Sequence, residues 1–195
     1  MNGQNTVAGL VLAGGRARRM DGRDKGLLPF RGLPLAAYGL AALQPLVGAT
    51  WISANRNRDA YRQLGYPVIA DANTDFDGPL AGILAGMRAC DSEILLILPC
   101  DTPLIETADL QRLLTALSDE PAIAAAHDGN RWHPTVAALR THLAADLQAY
   151  LDRGERKLQL WFAEHNPVLV DFSDRPGIFA NVNTALDLAE LDRHT

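Results

Sequence analysis

The sequence predicts an α/β fold on a mostly parallel sheet, and three observations predict it. Short apolar runs alternate with helical patterns along the chain. Several of those runs are apolar on both faces, as strands covered by helices on both sides require. Three of them end in polar loops, and the carboxyl ends of strands are where open α/β sheets bind ligands.

Taken in order, "AGLVLA" (8–13) reads as the first strand and "PLAAYGLAAL" (34–43) as a helix. "TWISA" (50–54) and "YPVIAD" (66–71) read as strands, followed by a helix over 78–90 with Pro79 in its first turn. "EILLILPCD" (93–101) is a buried strand, and Glu106 or Thr107 starts a helix that ends by residue 117, before Pro121 and a strand over 122–127. Such alternation gives a sheet with right-handed crossovers. The pattern then changes. Residues 131–139 read as extended, 140–154 and 157–165 as helices, and 166–172 as a final strand. The segment 175–191 ends in a helix with Asn183 or Thr184 as its N-cap. With no repeat, low-complexity tract or linker, one domain is expected, its last third folded onto the sheet.

Hydrophobic residues make up 48% of the 195 and charged residues 21%. That is ordinary globular composition, with no run near the ~18 apolar residues that cross a bilayer. A soluble protein without a membrane partner is expected. The opening "MNGQNTVAGLVLAGG" has neither a basic leader nor a long apolar stretch, so no export is expected. Cys90 and Cys100 make no disulfide framework and have no metal-ligand spacing, which fits a reducing cytoplasm. A net charge of -5 argues against a general grip on nucleic acid. Yet five of the 18 basic residues, Arg16, Arg18, Arg19, Arg23 and Lys25, fall within ten positions, against Asp21 and Asp24. A local cation cluster on an acidic chain suggests a small anionic ligand.

That cluster lies in "VLAGGRARRMDGRDKG" (11–26). Gly14 and Gly15 would let backbone amides approach a ligand, and the cations would neutralise phosphate. The plain alternative is a tight turn followed by a solvated surface. The loop is neither a Walker A motif nor GxGxxG. A second cluster, "LLILPCDTP" (95–103), brings Asp101 to a strand end, where a carboxylate is placed to hold Mg²⁺ or simply to make a turn with Thr102 and Pro103. Cys100 reads as a small buried apolar residue. A third, "IADANTDFDGPLAG" (69–82), places Asp71 at a strand end and Gly78, Pro79 and Gly82 at a helix start. His127 and His133 fit no common metal spacing, and Trp51, Trp132 and Trp161 read as core or rim.

"LAGGRARRMDGRDKGLL", "GPLAG" and "PCDTP" together resemble the nucleotidyltransferases that join a nucleoside triphosphate to a phosphorylated acceptor. "ANR" (54–56), "HDGNRWHPT" (127–135), "GERK" (154–157), "VDFSD" (170–174) and "FANVNT" (179–184) narrow the resemblance to the molybdenum cofactor guanylyltransferases of the MobA type, in order and over nearly the whole chain. The resemblance implies a Rossmann-like three-layer α/β/α domain with a mostly parallel twisted sheet. Residues 1–126 would be its nucleotide-binding half and 127–195 its acceptor-binding half. The implied reaction is Mg²⁺-dependent transfer of GMP from GTP to molybdenum-loaded molybdopterin, releasing pyrophosphate.

By resemblance, Leu12, Ala13, Gly14 and Gly15 form the guanosine-facing strip, and Lys25 binds phosphate. Asp71 and Asp101 match nucleotide-binding positions, Asp101 being also the magnesium ligand. Arg19, Gly22 and Gly82 fall in the same site, with Lys25, Asp101 and Arg19 carrying the catalysis by charge neutralisation. Asn181, Asn183 and Arg156 match the acceptor side, although Asn183 also suits an N-cap. Ser53 stands where the family often has Asn; serine keeps a hydroxyl but loses the amide's donor and acceptor fork, and Asn55 could take over its contact. GTP and molybdenum-molybdopterin are the implied partners, with other proteins of molybdenum cofactor synthesis beside them, and a monomer is expected. A CTP-dependent cytidylyltransferase, a sugar-phosphate nucleotidyltransferase and a non-catalytic nucleotide or cofactor-carrier module are the alternatives; "LAGG" and "PLAG" favour guanine over cytosine.

Overall fold

The computed structural model describes residues 6–14, 24–70, 78–117, 121–182 and Asp187. In chain order it contains β1 (Val7–Leu12), a two-stranded antiparallel ribbon of β2 (Pro29–Phe30) and β3 (Leu33–Pro34), α1 (Leu35–Leu43), β4 (Ala49–Ser53), α2 (Arg58–Arg62), β5 (Val68–Ile69) and α3 (Pro79–Ala89). It continues through β6 (Ile94–Pro99), α4 (Thr107–Ala116), β7 (Ile123–His127), β8 (Trp132–Arg140), α5 (Ala144–Asp152), α6 (Leu158–Glu164) and β9 (Val168–Asp171).

Seven strands form one sheet in the order β5-β4-β1-β6-β8-β7-β9. All neighbours pair parallel except β8, which is antiparallel to both β6 and β7. Alternation along each strand divides the core into two layers. Val11, Leu96, Leu98 and Ala124 face α1 and α4, whereas Leu10, Leu12, Leu95, Ile97 and Ala125 face α3, α5 and α6. The result is the expected three-layer α/β/α architecture. Among the described residues no helix is long and apolar enough to cross a membrane.

The last third departs from the expectation that it folds onto the sheet. The extended stretch becomes β8, which is inserted inside the sheet, and β9 forms its edge. Only four residues separate β7 from β8, too few for the crossover a parallel pairing needs, so the chain must turn back as a hairpin. Asp128 holds that turn by accepting the backbone N–H groups of Asn130 (2.8 Å) and Arg131 (2.9 Å), while Gly129 takes φ +93°.

Other boundaries shift for local reasons. The helix expected over 140–154 opens as a 3-10 turn, Thr141–Leu143, before α5 begins. Glu106 is the N-cap of α4, in a reciprocal capping box with Asp109. Neither α2 nor the β2-β3 ribbon has a counterpart in the apolar pattern, because both are short and mostly exposed. Of the strand expected over 66–71, Val68–Ile69 is paired and Asp71 lies outside the described residues. Asn183 and Thr184, the expected caps of the last helix, also lie outside them.

Candidate active site

β1, β4 and β6 are adjacent and parallel, so their carboxyl ends lie side by side. From β1 the chain goes outward to β4 on one side and later to β6 on the other. This reversal opens a crevice beyond the strand ends, the usual ligand position in such sheets. Backbone bonds tie the three exits together. Ala13 N–H donates to the Ser53 carbonyl (2.9 Å), and Cys100 N–H donates to the Leu12 carbonyl (3.0 Å).

Lys25 and Asp101 meet in this crevice, with Nζ 3.2 Å from Oδ2. Lys25 opens a 3-10 turn, Lys25–Leu27, whose preceding residue Asp24 accepts the Leu27 N–H through its carbonyl (3.1 Å). Asp101 follows β6 in a turn closed by Thr102, whose hydroxyl donates to the Pro99 carbonyl (3.3 Å). The turn and the functional placement therefore coexist, because Thr102 makes the turn's side-chain bond and leaves the Asp101 carboxylate to face Lys25.

Beneath the pair lies a buried group that the apolar pattern did not single out. Tyr61 of α2 is fully buried and donates its hydroxyl to Asp24 Oδ1, and Asn57 Nδ2 donates to Asp24 Oδ2 (3.2 Å). Burial, with the hydrogen bond to Asp24 and the charge of its carboxylate, pushes the Tyr61 hydroxyl far above its ordinary range, so it stays a donor. Burial, reinforced by the Asp101 and Asp24 charges, likewise pushes the Cys100 thiol upward. Cys100 is thus a neutral packing residue, as its position after an apolar run suggested. The sequence signal for Asp24 is its place beside Lys25; Tyr61 carries none, since "RDAYRQL" shows a lone tyrosine among polar residues and no element pattern.

Ser53 and Gly82 also come together. Ser53 is 3% exposed, and a Cβ on Gly82 would stand 2.5 Å from Ser53 Oγ and 3.2 Å from Leu12 Cδ2. Glycine at 82 thus lets α3 start close against the ends of β1 and β4. Gly78, just before α3, has φ +69°, a conformation suited to glycine. Gly14 is different: among the described residues a Cβ there would meet nothing nearer than the Ser53 carbonyl, at 3.9 Å. Asn55 follows the β4 exit and is half-buried.

From the far part of the chain, Val182 N–H donates to the Asp101 carbonyl (3.0 Å), which pins exposed Asn181 beside the Lys25–Asp101 pair. Arg156 is held in the α5–α6 connection, where it donates to the carbonyls of Leu151 (2.8 Å) and Glu155 (2.7 Å). Gly15, Arg19, Gly22, Asp71 and Asn183 lie outside the described residues.

The donor chemistry of the crevice suits a hard cation completed by substrate. Asp101 offers a carboxylate oxygen besides the one facing Lys25, and Mg²⁺ commonly takes one or two carboxylates plus phosphate and water oxygens. The described residues contain no group of three or more His, Cys, Asp or Glu that would hold a metal alone.

The family model described as the MobA-like NTP transferase domain matches residues 9–168. The molybdenum cofactor guanylyltransferase of Burkholderia ambifaria is 48% identical over 198 residues, covering 96% of each chain. That of Shewanella halifaxensis is 45% identical over 179 residues, 91% of this chain and 90% of its own. Among solved structures, molybdopterin-guanine dinucleotide biosynthesis protein A from Archaeoglobus fulgidus superposes with a TM-score of 0.78 at 21% identity, covering 95% of this chain and 97% of that one. A nucleotidyl transferase from Methanothermobacter gives 0.77 at 24% identity, with 97% of each chain covered. At those identities the likeness shows the fold.

Proposed function

The chain belongs to the MobA-like NTP transferase family, and from that premise we propose that it transfers GMP from GTP to molybdenum-loaded molybdopterin, releasing pyrophosphate. It is a nucleotidyltransferase, as its relatives are. The observation that carries the reading is the Lys25–Asp101 pair, a cation and a carboxylate 3.2 Å apart at the adjacent strand ends.

In this reading a terminal phosphate oxygen of the acceptor attacks the α-phosphorus of GTP in line. The new bond joins that oxygen to phosphorus, and the bond to the bridging oxygen breaks as pyrophosphate leaves. The attacking group is already an anion, so no general base is needed. Catalysis then rests on positioning and on neutralising charge. Lys25 places its ammonium against the phosphates. Arg19 adds a second cation from the same loop. Asp101 would hold Mg²⁺, which when bound neutralises phosphate charge.

The strip Leu12–Gly15 receives the guanosine, next to Ser53 and Gly82, with Asn55 available for the contact that an asparagine at 53 would make; Gly22 and Asp71 complete the nucleotide side. Asn181, Asn183 and Arg156 serve the acceptor. Residues 1–126 are the nucleotide-binding half and 127–195 the acceptor-binding half. The Val182–Asp101 bond supports this division, because it ties the second half's chain next to Asn181 to the backbone carbonyl of the first half's Asp101. Both cysteines are buried and unpaired, which supports a cytoplasmic setting.

The deciding assay supplies molybdenum-loaded molybdopterin and Mg²⁺ with either GTP or CTP and reads the dinucleotide product. Guanine dinucleotide with a strong preference for GTP is the expected result. Preference for CTP would make the protein a cytidylyltransferase instead.

A further inference from the structure

The contacts beneath Lys25 carry more than packing. Three strand exits meet there: Asp24 and Lys25 after β1, Asn57 and Tyr61 after β4, and Cys100 and Asp101 after β6. The Asp24 carboxylate is held on both oxygens, by the Tyr61 hydroxyl and the Asn57 amide. Asn57 has φ +48° at the N-cap of α2, yet its side chain makes no cap bond. Its amide is directed to Asp24.

Tyr61 is itself fixed. Its N–H donates to the Asn57 carbonyl (3.1 Å), and its carbonyl accepts from Leu64 (3.0 Å). The hydroxyl occupies the space where a side chain on residue 26 would begin, with Cys100 Sγ 3.2 Å from the same point. The 3-10 turn that carries Lys25 hangs from the Asp24 carbonyl, through Leu27, and closes through Leu28 N–H to the Lys25 carbonyl (3.0 Å). Fixing Asp24 therefore fixes the backbone from which the lysine reaches.

We propose that Tyr61 is a positioning residue for Lys25: its hydroxyl, with the Asn57 amide, clamps Asp24 and so sets the lysine opposite Asp101 for the triphosphate. The proposal rests on the reading of this crevice as the GTP site. It assigns α2, which carries none of the family's matched motifs, the role of buttressing the phosphate-binding lysine.

Tyr61→Phe keeps the ring and removes the hydroxyl. The chain has two lysines, Lys25 and Lys157, and Lys157 is exposed, so reductive methylation with peptide mass mapping reads Lys25 against an internal reference without nucleotide. In the variant, the Lys25 to Lys157 methylation ratio is expected to rise about fivefold. The KM for GTP should rise about tenfold, the size of one hydrogen bond to a charged group, with kcat changed less than about twofold. Asn57→Ala should move both in the same direction by a smaller factor.

A wild-type ratio in Tyr61→Phe would overturn the proposal. So would a lowered thermal midpoint with KM unchanged, which is the mark of a purely structural tyrosine. If Tyr61→Phe does not fold, Asn57→Ala decides by the same ratio, and no change there also overturns it. A wild-type protein that fails to transfer GMP refutes the reading of the site; the methylation ratio still decides whether Tyr61 sets the lysine.

Discussion

Lys25 Nζ stands 3.2 Å from Asp101 Oδ2, across 76 residues of sequence, with the two side chains 29% and 17% exposed. A partly solvated pair contributes on the order of 0–1 kcal/mol to stability. Its upkeep is therefore better explained by chemistry than by folding. Removing either partner should leave the thermal midpoint within a few degrees of wild type and act on turnover. Lys25→Ala is expected to lower kcat/KM for GTP by about a hundredfold or more, mainly through GTP dependence, in line with losing a cation that binds the triphosphate. Asp101→Ala should abolish Mg²⁺-dependent transfer with the fold intact. Steady-state kinetics over GTP and Mg²⁺ concentrations check both, and undiminished turnover in Asp101→Ala would remove the metal role.

Gly82 tests how closely α3 must approach the sheet. A Cβ at 82 would stand 2.5 Å from Ser53 Oγ, and overpacking of this kind costs roughly 1–3 kcal/mol. Alanine's better helix propensity returns up to about 1 kcal/mol. Gly82→Ala should therefore be destabilised by about 1 kcal/mol in urea unfolding. Adding Ser53→Gly, which removes the colliding atom, should restore much of the midpoint. A Gly82→Ala protein as stable as wild type would contradict the close approach.

The strands that build the site are legible because strands covered on both faces read as short apolar runs bounded by turn residues, as "LVL" in β1 and "LLIL" in β6 do. Lys25 and Asp101 were legible as residues placed at the ends of such runs. Their pairing was not, since no local pattern encodes contact between positions so far apart. β8 reads only as extended, because "RWHPTVAAL" has a polar first half and buries its second half alone. Tyr61 was invisible for a different reason. Its role depends on a polar atom at the end of a ring that otherwise behaves as an ordinary core residue.

Asp128 should govern part of the acid stability. His133 Nε2 lies 2.7 Å from its Oδ2. That hydrogen bond, followed by those from the Arg131 and Asn130 N–H groups, holds the carboxyl below the ordinary range. A carboxyl lowered in the folded state contributes stability above its unfolded value of about 3.9 and loses it as pH falls through the lower folded value. Wild type should thus be more stable than Asp128→Asn at neutral pH, with the gap closing below about pH 4. Thermal midpoints from pH 7 down to pH 3 measure this, and parallel curves for the two proteins would contradict it.

Gly26 separates packing from positioning in the cluster under Lys25. A side chain there would collide with the Tyr61 hydroxyl and come within 3.2 Å of Cys100 Sγ. Gly26→Ala must displace the hydroxyl from Asp24, and it should cost about 1–3 kcal/mol of stability together with a rise in the KM for GTP. Pairing it with Tyr61→Phe removes the colliding oxygen, so part of the stability should return. The GTP effect should not return, because the bond to Asp24 is absent in the double variant. Urea midpoints and GTP kinetics on the three proteins separate the outcomes. If stability and KM recover together, the hydroxyl matters only as volume, and the turn bearing Lys25 does not depend on its hydrogen bond.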